Sequence, residues 1–295
     1  MINSKVIGSG LTAVITGVFL LISGCGGGSS SSDGGGGTVS FPPPATSPPT
    51  GATTFTALNA EDEASAAYGM IQDLINLNDW VGAADVATIS IGDIARIVKT
   101  MAQKLNAIDG VAGAEWEYIC LNSAIVTGND TIDVGDDNEG RFRGSMSFNG
   151  CDDGWGFPIE GTVVYDYSWF ANGNYSDHFG GDLNITISSI SIEMAGMDYT
   201  DSGNDSGNYS LTVTFAVSAS VGGGYLMQTP TPIAGHRFDG ECAQSGEALA
   251  TGDADTQLKL TFGGGTAFAV QWSDGNSFSS PLPNNGGVFN CLSAT

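Results

Sequence analysis

The apolar residues of this chain recur at every second position from about Gly113 almost to the C-terminus. Phe142, Met146 and Phe148 alternate with arginine and serine, and residues 211–217 alternate in the same way. A period of two is typical of a strand with one buried face, and such strands form antiparallel sheets because strands of parallel sheets are apolar on both faces. The pattern predicts a long antiparallel sheet and excludes a doubly wound parallel one.

Two details of the pattern locate changes of direction in the sheet. The apolar positions have odd numbers over residues 183–187 and even numbers over residues 190–194, which indicates a bulge or a bend near Ser188–Ser189. Further on, the alternation of residues 258–262 passes through consecutive glycines to that of residues 268–272, which predicts a hairpin.

Before the sheet, apolar residues return every three or four positions in two segments, which is the period of an amphipathic helix. The first segment runs from about Ala60 to Asn78, and the second from about Ile91 to Ile108. Each has an apolar stripe that another element must cover. We therefore expect an α+β, mainly β fold: a long curved antiparallel β-meander, either an open half-barrel or a sandwich-like sheet, with two N-terminal amphipathic helices packed on one face.

The charge balance restricts the partners of the chain. Eight Lys and Arg stand against 32 Asp and Glu, and the formal net charge is −24. Nucleic-acid binding needs a basic surface that displaces counterions from phosphates, so we expect no nucleic-acid partner. An acidic surface suits high solubility, a salty environment or association with cations, and the sequence does not choose among these.

The N-terminus has the order of a signal peptide, with Lys5 followed by an apolar run that ends in Ile22-Ser23-Gly24-Cys25. These four residues resemble the lipobox of bacterial lipoproteins. The resemblance implies a signal peptide over residues 1–24, cleavage before Cys25, and attachment of diacylglycerol and a further acyl chain such as palmitate to Cys25. An ordinary secretory signal and a single membrane anchor are the alternatives, and the Gly/Ser run directly after Cys25 argues against both.

Resemblance to bacterial lipoproteins also implies a location and an organisation. Gly26, rather than Asp, follows the cysteine, which by resemblance to enterobacterial sorting implies a lipid-anchored protein of the outer membrane, on its periplasmic or surface face. We expect residues 25–54 to be the lipidated cysteine with a Gly/Ser/Pro-rich tether. Residues 55–112 then form a helical segment and residues 113–295 an antiparallel β domain, with residues 55–295 as one folding unit.

Four cysteines remain after Cys25, and an even number in an exported chain predicts two disulfides with three possible pairings. We favour Cys120 with Cys151 and Cys242 with Cys291, because each pair closes a local loop. A structural zinc site is the alternative, but no pair has CxxC spacing. The segment Phe148–Gly154 together with Cys242 and Cys291 resembles uncharacterised β-meander lipoproteins of proteobacteria, a group that implies no activity.

Calcium is the one possible cofactor that the sequence suggests, because acidic residues crowd two loops. The first loop holds Asp133, Asp136, Asp137 and Glu139, and the second holds Asp198, Asp201, Asn204 and Asp205. Carboxylate oxygens at this density suit Ca²⁺. Neither loop has the order of an EF-hand, and clusters of Asp, Asn and Gly also form ordinary turns.

One predicted strand has an aromatic face, with Tyr165, Tyr167 and Trp169 on the same side. If exposed, these rings could stack on sugars; if they face the helices, they belong to the core, and we favour the core. Trp155, in a Gly-rich loop near Cys151, is the aromatic residue that we most expect near solvent.

Catalytic motifs are weak in this sequence. His178 and His236 are the only histidines, no G-x-S-x-G motif occurs, and the cysteines after Cys25 are expected to be paired. Paired carboxylates of a glycosidase remain an alternative. Glu115, Glu117, Glu160, Glu193 and Asp166 lie in or beside predicted strands. We therefore expect a lipid-anchored envelope protein with a non-enzymatic structural, binding or adhesive role, with a glycan- or calcium-binding module and an envelope hydrolase as alternatives.

Overall fold

The protein is described by a computed structural model over residues 39–75, 114–134, 139–154, 156–187, 190–220, 223–237 and 242–291. Within these ranges the fold is mainly β, and one helix, α1 (Ala60–Ile75), precedes the strands. Two helices were expected. The predicted helix over residues 91–108 lies outside the described residues, and no helix in the described ranges has the length and apolarity needed to cross a membrane.

Eleven strands follow, and they form one antiparallel meander in which each strand pairs with its neighbours in sequence. The strands are β1 (Ala114–Ile119), β2 (Ile125–Val134), β3 (Gly140–Cys151), β4 (Ile159–Trp169), β5 (Asn174–Ile187), β6 (Ile190–Asn204), β7 (Asn208–Ala219), β8 (Gly223–His236), β9 (Ser245–Thr251), β10 (Gln257–Phe262) and β11 (Ala269–Ser273). In the described ranges β1 and β11 do not pair with each other, so the sheet is open. The predicted antiparallel meander is confirmed.

The change of parity near residue 188 has a different cause from the one predicted. The chain reverses between Ile187 and Ile190, so β5 and β6 are separate strands rather than one strand with a bulge or bend. Leu183 pairs with Met194, and residues that pair across a hairpin share a face of the sheet. Because odd-numbered residues of β5 pair with even-numbered residues of β6, the parity changes while the apolar residues stay on one face.

The predicted C-terminal hairpin is confirmed, because Leu258 pairs with Trp272 and Leu260 pairs with Val270 across β10 and β11. The free edge of β11 is covered by the chain that follows. The amide of Ser279 donates to the carbonyl of Trp272, and that of Leu282 to the carbonyl of Val270, both at 2.8 Å. These hydrogen bonds occupy carbonyl groups on the edge of β11 that could otherwise pair with another strand.

Helix α1 packs on the apolar face of the sheet. Its buried side is made mostly of small and aliphatic residues: Ala60, Ala64, Ala67, Ile71 and Ile75. Tyr68 stacks on Phe268 with ring centroids 4.4 Å apart, and the hydroxyl of Tyr225 donates to Sδ of Met70 at 3.4 Å. The helix thus covers strands near the C-terminal end of the meander.

The chain before α1 lies along the sheet, and we call residues 39–56 the strap. The ring of Phe41 stacks on His178 with centroids 3.5 Å apart, and the amide of Ala45 donates to the carbonyl of Gly196 at 2.9 Å. Gly196 has a positive φ of +55°, and a β-carbon there would collide with Ala45. Residues 39–54, which fall within the predicted tether, therefore contact the sheet.

Both predicted disulfides are present. Cys120 pairs with Cys151 and joins the end of β1 to the end of β3, whereas Cys242 pairs with Cys291 and joins the segment before β9 to the C-terminal segment. The sequence separations are 31 and 49 residues. Each bond closes a local part of the meander, which is the reason for which this pairing was favoured.

Candidate functional site

The interior of the sheet holds a group of polar side chains that we call the interior cluster: Tyr175, Asp177, Asp201, Tyr209 and Arg237. Nη2 of Arg237 donates to Oδ2 of Asp201 at 2.6 Å, and the hydroxyl of Tyr175 donates to the same oxygen at 3.1 Å. The guanidinium lies between two rings, 5.5 Å from the centroid of Tyr175 and 5.3 Å from that of Tyr209. The cluster is a buried ion pair supported by hydrogen bonding and cation–π contact.

Burial and charge set the protonation of this cluster. The side chains of Arg237 and Asp201 are 4% and 1% exposed. Burial alone would lower the pKa of Arg237, but the charge of Asp201 and the neighbouring Tyr175 outweigh it and raise that pKa. Burial, followed by the charges of Asp201 and Asp177, raises the pKa of Tyr199 well above its usual value. The guanidinium therefore stays charged and the phenol neutral.

The interior cluster has a structural role rather than a binding one. Asp177 and Asp201 pair across β5 and β6, and both are buried, so two carboxylates lie side by side. Like charges opposite each other in a sheet are unfavourable, and the guanidinium of Arg237 offsets this repulsion. Because the side chains of Asp177, Asp201 and Arg237 are buried, a ligand could reach them only if the residues that cover them moved.

A second polar region lies on the surface, where two turns meet. Glu139, Phe170, Ala171, Asn172 and Asn174 line an open depression of about 400 Å³, which we call the turn depression. All five residues are exposed, and Phe170 retains 45% of its accessible surface. The volume lies within the range of about 300–1,000 Å³ that is usual for small-molecule sites.

The turn between β4 and β5 gives the turn depression its shape. The amide of Gly173 donates to the carbonyl of Phe170 at 2.9 Å, and the amide of Asn174 donates to Oδ1 of Asn172 at 3.0 Å. Gly173 has a φ of +80°, a conformation that side chains other than glycine seldom adopt. The pairing of Gly140 with Trp169 brings Glu139, the residue before β3, beside this turn.

A third turn supports the turn depression from the side. The amide of Asp205, between β6 and β7, donates to the carbonyl of Gly173 at 2.9 Å. Its carboxylate lies against Gly173, since a β-carbon there would come within 2.6 Å of Oδ2 of Asp205. Two carboxylates, those of Glu139 and Asp205, therefore belong to this part of the surface.

The aromatic row predicted on β4 faces the core. Tyr165 and Tyr167 are buried, and both stack with Phe142. Trp169, the last member of the row, is 36% exposed, and its ring covers Gly140 next to the turn depression. Of the three rings in this row, Trp169 alone is thus available to a ligand at the surface. Trp155 lies outside the described residues.

The second acidic loop is divided between the two faces of the sheet. Asp201 belongs to the interior cluster, whereas Oδ1 of Asp198 lies 2.6 Å from Nε2 of His178 on the opposite face. Oδ1 of Asn204 accepts hydrogen bonds from amides of its own turn. The structure therefore does not bring Asp198, Asp201 and Asp205 together.

The first acidic loop is described only in part. Glu139 lines the turn depression, Asp136 and Asp137 lie outside the described residues, and so does the side chain of Asp133. Across the described ranges, no three His, Cys, Asp or Glu side chains come together in a group that could hold a metal ion.

The other candidate catalytic groups are dispersed. Asp166 forms a bidentate ion pair with Arg141, with Nε of Arg141 2.7 Å from Oδ1 of Asp166. Glu160 and Glu193 both pair with Asn184 from opposite sides, so strand spacing places them about 10 Å apart on an exposed face. Glu115 and Glu117 lie on β1 and are exposed. His178 and His236 belong to different strands, β5 and β8.

Sequence reasoning missed the residues that line the turn depression other than Glu139. The segment Phe170-Ala171-Asn172-Gly173-Asn174 carried a signal, because Asn-Gly between two alternating stretches is a strong hairpin motif. An exposed aromatic residue at the start of such a turn could have been singled out. The meeting of this turn with Glu139 depends on sheet register, which the sequence does not state.

Comparisons of the chain with protein-family models, with curated proteins and with solved structures find no match.

Proposed function

We propose that the chain is a lipid-anchored protein of the bacterial cell envelope whose folded part binds a glycan, without turning it over, in the turn depression. The observation that carries the binding proposal is the exposed ring of Phe170 set among Glu139, Asn172 and Asn174. A sugar offers an apolar C–H face and a rim of hydroxyls. An aromatic ring covers the first, and carboxylate and amide groups bond the second.

The anchor is supported by the sequence and by the disulfides. The apolar run that ends in Ile22-Ser23-Gly24-Cys25 supports lipidation of Cys25, and Gly26 after the cysteine favours the outer membrane. Two disulfides agree with export, because such bonds persist in oxidising compartments and are rare in the cytosol. Several buried acyl methylenes, each contributing about 0.8 kcal/mol, would hold the protein on the membrane.

A binding role is favoured over hydrolysis by the number of carboxylates at the site. Glycosidases of the common type place two carboxyl groups on either side of the scissile bond. Glu139 is the single carboxylate among the described residues that line the turn depression. We therefore expect bound glycans to be recovered intact, and chromatography of the sugar after incubation tests this.

The anchor is tested by expressing the full chain with Cys25→Ala, and with Ser30→Ala as a matched change in the predicted tether. We expect the first variant to lose palmitate labelling and to leave the membrane fraction or stay unprocessed, whereas the second keeps both properties. Palmitate labelling that persists in Cys25→Ala would refute the anchor.

Glycan binding is tested by thermal unfolding against a panel of envelope and environmental glycans, with and without calcium. A ligand at a hundredfold excess over its Kd stabilises the native state by about 2.7 kcal/mol. We expect Phe170→Ala to lose this shift and Phe278→Ala to keep it, since Phe278 is a comparably exposed ring, at 37%, elsewhere on the surface. A shift that survives Phe170→Ala would place the ligand elsewhere.

A further inference from the structure

We propose that the turn depression selects sugars that carry an ammonium group over neutral sugars and excludes anionic ones. This inference rests on the glycan-binding proposal.

Aromatic rings in this protein are used to hold cations. In the interior cluster, Arg237 lies between the rings of Tyr175 and Tyr209 and is paired with Asp201. On the surface, Nζ of Lys259 lies 4.6 Å above the centre of the ring of Phe278. A ring face attracts a cation because its quadrupole is negative at the face.

The turn depression contains a ring and a carboxylate, and no basic side chain of the described residues lines it. Phe170 supplies an exposed ring and Glu139 an exposed carboxylate. The chain has eight basic residues, of which Arg141, Arg143, Arg237 and Lys259 lie in the described ranges. None of these four lines the depression, and an incoming ammonium group would supply the missing charge.

The described basic residues are engaged elsewhere. Arg141 is paired with Asp166, Arg237 lies in the interior cluster, and Lys259 lies over Phe278. Arg143 is only 6% exposed. Each of these side chains is thus paired or buried, and none of them lines the depression.

Charges that do not line the depression also favour an ammonium group over an anionic one. Asp205 adds a second carboxylate at the neighbouring turn, packed against Gly173, and the whole chain carries a formal charge of −24. An anionic sugar would be repelled at such a site, whereas an ammonium group would be attracted. Because both carboxylates are exposed, salt should weaken this preference.

The experiment compares two tetramers with the same backbone, one of glucosamine and one of N-acetylglucosamine, by titration calorimetry of the full mature chain. At mildly acidic pH, where the amine is protonated, we expect about tenfold tighter binding of the glucosamine tetramer, from one exposed ion pair and one cation–π contact. An oligogalacturonate of the same length should not bind.

Variants locate the source of the preference. Glu139→Gln should reduce the tenfold ratio to about twofold or threefold, because the ion pair is lost while the amide that replaces the carboxylate can still bond a sugar hydroxyl. Glu160→Gln, another exposed carboxylate away from the depression, should leave the ratio as it is. The ratio should also fall as sodium chloride is added.

Each outcome decides between the two proposals. Equal affinities for the two tetramers, or a ratio that Glu139→Gln does not change, would overturn the charge selectivity and leave glycan binding standing. Failure of both tetramers to bind would overturn the glycan proposal together with this inference.

Discussion

The interior cluster and the turn depression are built from the same kinds of group, and their surroundings give them different roles. In the interior, Arg237 and Asp201 are buried, the rings of Tyr175 and Tyr209 flank the guanidinium, and the chain supplies its own cation. At the surface, Phe170 and Glu139 are open to water, and no described basic side chain lines the depression. Burial therefore marks the first as structural, and exposure makes the second available to a ligand.

The largest expected effect follows from removing the cation of the interior cluster. Arg237→Met removes the cation that is paired with the buried carboxylate of Asp201, and we expect a loss of about 3–5 kcal/mol in the free energy of unfolding, measured with urea. Arg141→Met breaks the ion pair with Asp166, in which Arg141 is 47% exposed, and should cost about 0–1 kcal/mol. Equal losses would show that burial does not distinguish the two pairs.

Alkaline pH should weaken the interior before it affects the surface. Burial raises the pKa of Tyr209 from 10 to about 12, against an opposing effect of Arg237. Between these values the unfolded chain releases a proton that the folded chain retains, so the free energy of unfolding falls as pH rises, by about 3 kcal/mol for this residue. Urea unfolding across this range measures the slope, and Tyr209→Phe should make it shallower. An unchanged slope in that variant would contradict the assignment.

Removal of a tyrosine hydroxyl from the interior should have a smaller effect on stability, and two tyrosines should differ in its size. The hydroxyl of Tyr175 donates to Asp201, so Tyr175→Phe should cost about 1–3 kcal/mol, since a hydrogen bond to a charged group is lost. The hydroxyl of Tyr199 is buried without a hydrogen-bond partner among the described residues, so Tyr199→Phe should change stability by less than about 0.5 kcal/mol. Denaturant midpoints of the two variants test the order, and a larger loss for Tyr199→Phe would reverse it.

The smallest effect on stability is expected at the surface. Phe170→Ala removes an exposed ring from a turn and should change the free energy of unfolding by less than about 0.5 kcal/mol, while glycan binding is lost. Urea unfolding and calorimetry on the same preparation give both values. A loss of several kcal/mol would mean that the ring is part of the core and not of a site.

The sequence predicted the features that depend on local pattern. Alternation gave the antiparallel strands, glycines between residues 262 and 268 gave the last hairpin, and short separations gave the disulfides. The strap was not predicted, because backbone hydrogen bonds and glycines such as Gly196 hold it, and neither leaves an apolar pattern. The contact of Arg237 with Asp201, 36 positions apart, depends on the register of β6 to β8.

Part of the candidate site could also be predicted from the local sequence pattern. Trp169 was identified as aromatic and Glu139 as acidic, but no local pattern indicates that both lie at one turn. The pairing of Gly140 with Trp169 makes that connection, and it depends on the exact length of the β3–β4 hairpin. Tyr165, Tyr167 and Trp169 have the same parity, so the pattern places them on one face of the strand. Parity does not state whether that face is covered by another element.

The central claim is that ligand binds at the turn depression and leaves the interior cluster untouched. Amide NMR of the labelled mature chain, titrated with the glucosamine tetramer, tests it most directly. We predict shifts confined to Glu139, to residues 170–174 and to the indole of Trp169, with the amides of Asp201 and Arg237 unchanged. Shifts centred on Asp201 and Arg237 would contradict the account, because the polar groups of the interior would then be the site.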